Sequence, residues 1–119
     1  MIRFRPVLVA VALVFALVAV PVATARHHVP AKTSVTVKMT EFKFALSRSS
    51  VPTGTVAFKV VNKGKIKHDF AIAGKKTAQI GKGKSTTLVV TFKKKGKYPY
   101  KCTIDSHAKF GMKGTLTVK

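Results

Sequence analysis

The chain has 119 residues, with 23 Lys and Arg against three acidic residues, a formal net charge of +20 at pH 7 and one cysteine. A chain of this length forms a single domain with one modest core. The lone cysteine, Cys102, excludes an intramolecular disulfide.

The N-terminal residues are typical of a secretory signal peptide. Arg3 and Arg5 precede an apolar run over residues 7–20, which Pro21 ends. Residues 23–25, Ala-Thr-Ala, then match the small-x-small rule for cleavage. The pattern predicts an exported protein, periplasmic or extracellular. The alternative is an uncleaved membrane anchor, because the apolar run approaches the length that spans a bilayer.

Cleavage after Ala25 would divide the chain into three parts. We predict a signal peptide over residues 1–25, a flexible lead over residues 26–33 and one domain over residues 34–119. An exposed thiol in an oxidising compartment is liable to oxidation. We therefore expect Cys102 to be either a buried structural residue or a metal ligand.

The strong positive charge would ordinarily suggest nucleic acid as a partner. Export separates the chain from nucleic acid, so we expect no such partner. The lysines are spread through the sequence, with residues 93–95 the only run of three. This distribution is typical of a solvated surface, and contact with an anionic membrane or envelope surface remains open. We expect a monomer.

Strands follow one another along the mature chain. Residues 34–39 alternate, with Val35, Val37 and Met39 on one face. The same period of two recurs over residues 42–46, 56–60, 88–92 and 116–118. Turn signals separate the runs, at residues 52–54, 62–64, 74, 81–83 and 95–96. The pattern predicts an all-β sandwich of seven or eight strands.

A sulfur and nitrogen ligand set lies near the C-terminus, in the pattern Cys102-x4-His107-x4-Met112. A thiolate, an imidazole and a thioether form a soft set that suits copper, and the thioether argues against structural zinc. His68 offers a second imidazole, because residues 67–72 predict a strand that can lie beside the strand ending at Cys102.

Each of these residues also has a structural interpretation. His68 fits a hydrogen-bonded surface histidine, Cys102 a small buried hydrophobe, and Met112 a core filler. All four residues together at these spacings favour a copper site over four separate coincidences.

Four further motifs accompany the ligand set. They are Glu-Phe-Lys-Phe at residues 41–44, Asn-Lys-Gly at 62–64, Gly-Lys-Tyr at 96–98 and Gly-Met-Lys-Gly at 111–114. With these motifs, the chain resembles the plastocyanin/azurin family of cupredoxins over nearly the whole mature chain. The resemblance implies a Greek-key β-sandwich.

The resemblance also implies one type 1 (blue) copper per chain. His68, Cys102 and His107 would form a trigonal plane, with Met112 as a long axial ligand. The implied function is transfer of single electrons, with His107 as the exit and an apolar docking patch to which Ala108, Phe110 and Gly111 contribute. Redox protein partners, acidic at the docking surface, would be steered to this cationic chain.

Two alternatives use the same residues differently. A copper carrier or copper-site assembly factor would hand over the metal, and a structural cationic module would need no metal. Catalysis is not expected, because the four histidines of the chain are too few for the trinuclear centre of a multicopper oxidase.

Two departures from the family pattern concern acidic residues. Asp69 stands where the family commonly has Asn, and its oxygens are predicted to accept hydrogen bonds from Thr103. Asp105-Ser106 precedes His107 where many relatives have Pro-Gly. A carboxylate near copper favours Cu(II) and lowers the reduction potential, whereas the surrounding lysines act oppositely.

The mature N-terminus offers a second, separate copper site. Cleavage after Ala25 would leave Arg26, His27 and His28 first, and a histidine third from a free amine can bind Cu(II) in a square plane. The alternative is a terminus that simply tolerates histidines.

Overall fold

The computed structural model describes residue 2, residues 10–22 and residues 32–119. Residues 10–22, which include most of the apolar N-terminal run, contain neither helix nor strand. Among the described residues, no helix has the length and apolar character to cross a membrane. The expected cleavage site and the N-terminal copper site of Arg26, His27 and His28 lie outside the described residues, so both stay predictions.

The described residues form nine β-strands and no α-helix, which confirms the predicted all-β class. The strands are β1 (Thr33–Thr40), β2 (Lys43–Leu46), β3 (Ser50–Val51), β4 (Gly54–Asn62), β5 (Ala71–Ile72), β6 (Lys75–Lys76), β7 (Ser85–Phe92), β8 (Gly96–Lys101) and β9 (Lys113–Val118). The count exceeds seven or eight because three strands have only two residues each, too few for alternation to show.

The strands form two sheets. One has the order β2-β1-β4-β7 and the other the order β3-β9-β8-β5-β6. Both sheets are mixed, because β1 runs parallel to β4 and β3 runs parallel to β9. Each sheet turns one face inward, and the two inner faces enclose a single core.

The core follows the alternation seen in the sequence. Val35, Val37 and Met39 of β1 are fully buried, as are Val56, Phe58 and Val60 of β4. From the second sheet come Ile72, Leu116 and Val118. Aromatic rings tie the two sheets together, since Phe92 of β7 packs edge-on against Tyr98 of β8, and Phe44 of β2 packs edge-on against Tyr100 of β8.

Strand pairing brings two loops to one end of the sandwich, the loop before β5 and the loop between β8 and β9. β8 is antiparallel to both β5 and β9, and its last residue, Lys101, pairs with Ala71 and with Lys113. The segment that follows β8 therefore meets the segments that precede β5 and β9. These segments carry His68, Cys102 and Met112.

The segment around His68 differs from the predicted strand over residues 67–72. The regular strand covers only Ala71–Ile72, and His68 forms an isolated bridge with Ile80. The His68 N–H donates to the Ile80 carbonyl at 3.2 Å, and the His68 carbonyl accepts from Ile80 at 2.7 Å. Phe70 forms hydrogen bonds with Thr77. Residues 68–70 therefore pair with the 77–80 segment, and the chain joins the sheet only at Ala71.

Asn62 organises the turn that leads to His68. Its side chain is fully buried, and Nδ2 donates to the carbonyls of Ile66 at 2.8 Å and Ile80 at 2.7 Å. Oδ1 accepts the Gly64 N–H at 2.8 Å. Every polar atom of this amide is thus used, which agrees with the predicted turn at residues 62–64.

We expect Asn62→Asp to lower the free energy of unfolding by about 3 kcal/mol, since it places a buried carboxylate against two carbonyl oxygens. Gln79→Glu is the matched control because Gln79 is exposed, and it should stay within about 0.5 kcal/mol of the parent. Urea unfolding measures both. Equal effects of the two substitutions would contradict the role given to Asn62.

Candidate metal centre

Three ligand atoms meet at the end of the sandwich. The nitrogen and sulfur atoms of His68, Cys102 and His107 all lie within 4.8 Å of one another. His68 Nδ1 is 3.2 Å from His107 Nδ1, and Cys102 Sγ is 3.5 Å from His107 Nδ1. His68 is 0%, Cys102 1% and His107 8% exposed, so bulk water is largely excluded from the cluster.

Backbone hydrogen bonds hold the loop that carries three of the predicted ligands. The Cys102 N–H donates to the Met112 carbonyl at 3.1 Å, and the Met112 N–H donates to the His107 carbonyl at 3.1 Å. The His107 N–H in turn donates to Ile104 at 3.1 Å. Met112 is completely buried within the core cluster. The loop therefore fixes Cys102, His107 and Met112 relative to one another.

Gly111 makes this loop sterically possible. Its φ is +111°, a backbone conformation that glycine adopts freely and residues with a Cβ rarely do. Gly111 lies in the turn between His107 and Met112. The same glycine was predicted to belong to the docking patch.

Glu41 determines which nitrogen of His68 faces the cluster. His68 Nε2 lies 3.2 Å from Glu41 Oε1. A carboxylate can only accept a hydrogen bond, so Nε2 is the donor, and the tautomer with its proton on Nε2 presents the lone pair of Nδ1 to His107 and Cys102. A lone pair on nitrogen aimed at a second imidazole and a thiol is an arrangement that suits a bound cation.

Cys102 lies in a low-dielectric environment and accepts a hydrogen bond from the backbone. Burial raises the pKa of the Cys102 thiol, while the Asp69 N–H, which donates to Sγ at 3.5 Å, opposes this rise. Metals bind the thiolate. Metal binding at neutral pH would therefore release a proton from this residue.

Asp69 joins the two segments that carry His68 and Cys102. Its Oδ1 accepts the Thr103 N–H at 2.5 Å, and its Oδ2 accepts the Thr103 hydroxyl at 2.5 Å. Asp69 is 2% exposed whereas Thr103 is exposed, so both bonds lie at the boundary between the buried cluster and the surface. Asp69 is the residue after His68 in the sequence, and Thr103 is the residue after Cys102. The two hydrogen bonds therefore fix the distance between the two segments that carry these ligands.

One acidic contact of the metal centre was not predicted from the sequence. Asp105, expected close to the metal centre, has an exposed side chain. Glu41, noted only as part of a motif, contacts the His68 ring. No local pattern reveals this contact, since it depends on how the turn between β1 and β2 folds over the His68 segment.

Backbone amides stabilise the ionised form of Glu41. Oε1 accepts the N–H groups of Ile66 at 3.1 Å and Lys65 at 2.6 Å. These bonds, with a smaller contribution from His68, lower the pKa of Glu41 from 4.5 to about 2. The side chain is about one third exposed.

The lowered pKa predicts a pH-dependent contribution to stability. A carboxyl whose folded-state pKa lies below its unfolded value stabilises the fold above the unfolded pKa of 4.5, and this contribution disappears as the pH falls to about 2. In urea unfolding, Glu41→Gln should weaken the dependence of stability on pH between 4.5 and about 2. Asp105→Asn, which removes an exposed carboxyl, is the control, and identical profiles for Glu41→Gln and the parent would contradict this prediction.

Apolar side chains surround the accessible edge of the cluster. The Phe42 ring packs edge-on against His107, with centroids 5.1 Å apart, and also contacts Phe110. Phe110 is 64% exposed. His107 is the most exposed of the four predicted ligands, so the route from the cluster to solvent passes this apolar rim.

The donor set fits copper better than zinc. Two imidazole nitrogens and a thiolate converge from two segments, the one that carries His68 and the loop that carries Cys102 and His107, and a buried methionine lies on the latter. This combination of soft and borderline ligands is typical of copper sites that transfer electrons, whereas structural zinc is usually held by cysteine and histidine alone.

Comparison with known families identifies the fold family. The family model that describes the cupredoxin-like domain matches residues 9–118 of the sequence. The chain belongs to the cupredoxin-like family. The resemblance to cupredoxins inferred from the sequence motifs is therefore confirmed. No curated protein matches this cupredoxin in sequence.

Solved structures share the fold at low sequence identity. An auracyanin from the photosynthetic bacterium Roseiflexus castenholzii is 24% identical with a TM-score of 0.64, covering 73% of this cupredoxin and 97% of that chain. Auracyanin A of Chloroflexus aurantiacus, described as a blue copper protein, is 13% identical with a TM-score of 0.60, covering 75% of this cupredoxin and all of that chain (100%). A multicopper oxidase matches at 16% identity with a TM-score of 0.61, and there 45% of its chain is covered.

Proposed function

We propose that this cupredoxin is a type 1 copper protein that transfers single electrons outside the cytoplasm. The observation that carries the proposal is the convergence of His68, Cys102 and His107 within 4.8 Å in a buried cluster. Met112, on the same loop, supplies the fourth ligand. Copper bound there would supply one-electron chemistry by alternating between Cu(I) and Cu(II).

The protein's own part is to keep the ligands fixed. Backbone hydrogen bonds within the 102–112 loop link Cys102 to Met112 and Met112 to His107, and Asp69 ties the loop to the His68 segment. A site held this firmly resists rearrangement when the charge of the metal changes, and small rearrangement favours fast electron exchange. The surrounding core of the sandwich supplies the rigidity.

His107 is the proposed exit for the electron. It is the most exposed of the four ligands, at 8%, and Phe42 and Phe110 form an apolar rim beside it. Such a rim can be desolvated by a partner at little cost. Auracyanin A is described as a blue copper protein, which supports the same chemistry here.

The strong positive charge supports acidic redox partners. A net charge of +20 over the full chain would steer an anionic partner towards this monomeric domain, and added salt would screen the attraction. The rate of oxidation of the reduced protein by anionic hexacyanoferrate(III) should therefore fall as salt is added. A rate independent of salt would remove the steering proposal.

Location outside the cytoplasm rests on the N-terminal residues. Arg3 and Arg5, the apolar run and Ala25 support export, with removal of the first 25 residues. Mass spectrometry of the protein recovered from the producing cells measures the mature N-terminus. A chain that keeps its apolar run would instead support the membrane anchor.

Addition of Cu(II) to the purified protein tests the copper assignment. We expect an intense visible charge-transfer band from the Cys102 thiolate, at one equivalent of copper. Lack of the band would overturn the type 1 assignment. Repeated reduction and reoxidation with copper retained would separate an electron carrier from a copper carrier or assembly factor, which must release its metal.

A further inference from the structure

We propose that Glu41 is a positioning residue of the metal centre, which orients the His68 imidazole and favours the oxidised state of the metal. The inference rests on the proposed copper site, and it adds a residue that is not itself a ligand. Glu41 lies in the turn between β1 and β2, on the other sheet from the loop that carries Cys102.

One oxygen of Glu41 collects the hydrogen bonds around His68. Oε1 lies 2.6 Å from the Lys65 amide nitrogen, 3.1 Å from that of Ile66 and 3.2 Å from His68 Nε2. The carboxylate thereby holds both the backbone leading to the ligand and the ligand ring. Metal-bound histidines commonly donate their second N–H to a carboxylate, which fixes the tautomer and ring orientation and makes the ring a stronger electron donor.

The turn before His68 has room for this carboxylate because of Gly64. A Cβ atom built on Gly64 would overlap Glu41 Oε1, and Gly64 is buried. Asn62 fixes the same turn through the Gly64 N–H. The 62–66 turn is therefore shaped around the Glu41 oxygen, and a methyl group at residue 64 would displace it without removing any charge.

The same turn reaches the second imidazole. Phe42, adjacent to Glu41, packs edge-on against His107 at a centroid separation of 5.1 Å. Phe42 has a φ of +48°, which is uncommon for a residue with a Cβ. Consecutive residues of one turn thus contact the two ligand rings, one by a charged hydrogen bond and the other by an apolar face.

The charge on Glu41 distinguishes an effect on the metal centre from a purely structural role as a hydrogen-bond acceptor. A neutral acceptor could still receive the N–H groups of Lys65 and Ile66. A carboxylate against His68 additionally stabilises the higher positive charge of Cu(II) relative to Cu(I). Only three of the chain's residues are acidic, and this one is directed at a ligand ring.

Glu41→Gln tests the effect of the charge. Glutamine keeps an oxygen acceptor for the two amides but is neutral, so the equilibrium constant for reduction of the bound copper should rise about tenfold, equivalent to about 59 mV for one electron. Asp105→Asn removes the same charge from an exposed side chain of the ligand loop and should change that constant by less than about threefold. Redox titration of the copper-loaded proteins measures both.

The tautomer of His68 tests the orientation without any metal. In the metal-free parent and in Glu41→Gln, ¹⁵N chemical shifts should report a protonated Nε2 and an unprotonated Nδ1. Glu41→Ala removes the acceptor and Gly64→Ala displaces it, so both should give a mixture of tautomers. Circular dichroism establishes that each variant is folded.

The outcomes separate this inference from the copper assignment. A parent protein that gives no visible band with Cu(II) removes the copper assignment and, with it, the redox effect of Glu41. A parent with the band whose Glu41→Gln variant shifts no more than Asp105→Asn overturns the present inference alone. An unchanged His68 tautomer in Glu41→Ala overturns it as well.

Discussion

We expect Cys102→Ser to abolish the visible band that Cu(II) gives with the parent protein. The band requires a thiolate bound to copper, and Cys102 is the only cysteine of the chain. Serine is similar in size, but its hydroxyl is a hard, weakly acidic donor that binds Cu(I) poorly. Loss of a residue that only hydrogen-bonds to a metal ligand typically lowers metal affinity by about 10–100-fold. Loss of the ligand itself should lower the affinity for Cu(I) by more than about 100-fold.

A control separates loss of the ligand from loss of the fold. Cys102 is 1% exposed, so its substitution also perturbs the core. Val118→Ala alters another buried residue, at the end of β9 away from Met112, and should lower stability while leaving the band in place. Absorption spectra and urea unfolding of both variants provide the comparison. A band retained in Cys102→Ser would show that the thiolate is not the copper ligand.

The C-terminal part of the candidate site could be predicted because its residues are close in sequence. Cys102, His107 and Met112 share one loop, and a loop of that length bounded by strands leaves them few arrangements. His68 required a further step, the pairing of its segment with the strand before Cys102. The structure provides this pairing through β5 and β8, although the regular strand begins only at Ala71.

Contacts between distant segments could not be predicted in the same way. A period of two identifies β1 and β4 as strands but does not reveal that they pair in parallel. The three consecutive buried residues His68, Asp69 and Phe70 break the alternation, because their surroundings are set by Ile80 and Thr77 rather than by a neighbouring regular strand. The contact of Glu41 with His68 depends on both features, so the sequence does not contain a local signal for it.

The largest loss of stability should follow Phe58→Ala. Phe58 lies in the middle of β4, opposite Val35 of β1 and Leu88 of β7, and it is 0% exposed. Its ring contacts Phe70 at 5.3 Å and Phe92 at 6.3 Å between centroids. Truncation removes these contacts and leaves a cavity between the two sheets, at a cost of about 3–5 kcal/mol.

That cost is large relative to the total stability of a small domain, which is typically about 5–15 kcal/mol. Phe110→Ala is the matched control, since the same ring is 64% exposed there and its removal should cost about 0.5 kcal/mol. Urea unfolding of the two metal-free variants gives the comparison. Because Phe70 follows His68 closely in the chain, the cavity also weakens the packing that supports the His68 segment. Copper binds the folded state, so adding it should restore part of the lost stability. Equal unfolding free energies for the two variants would contradict the placement of Phe58 at the centre of the core.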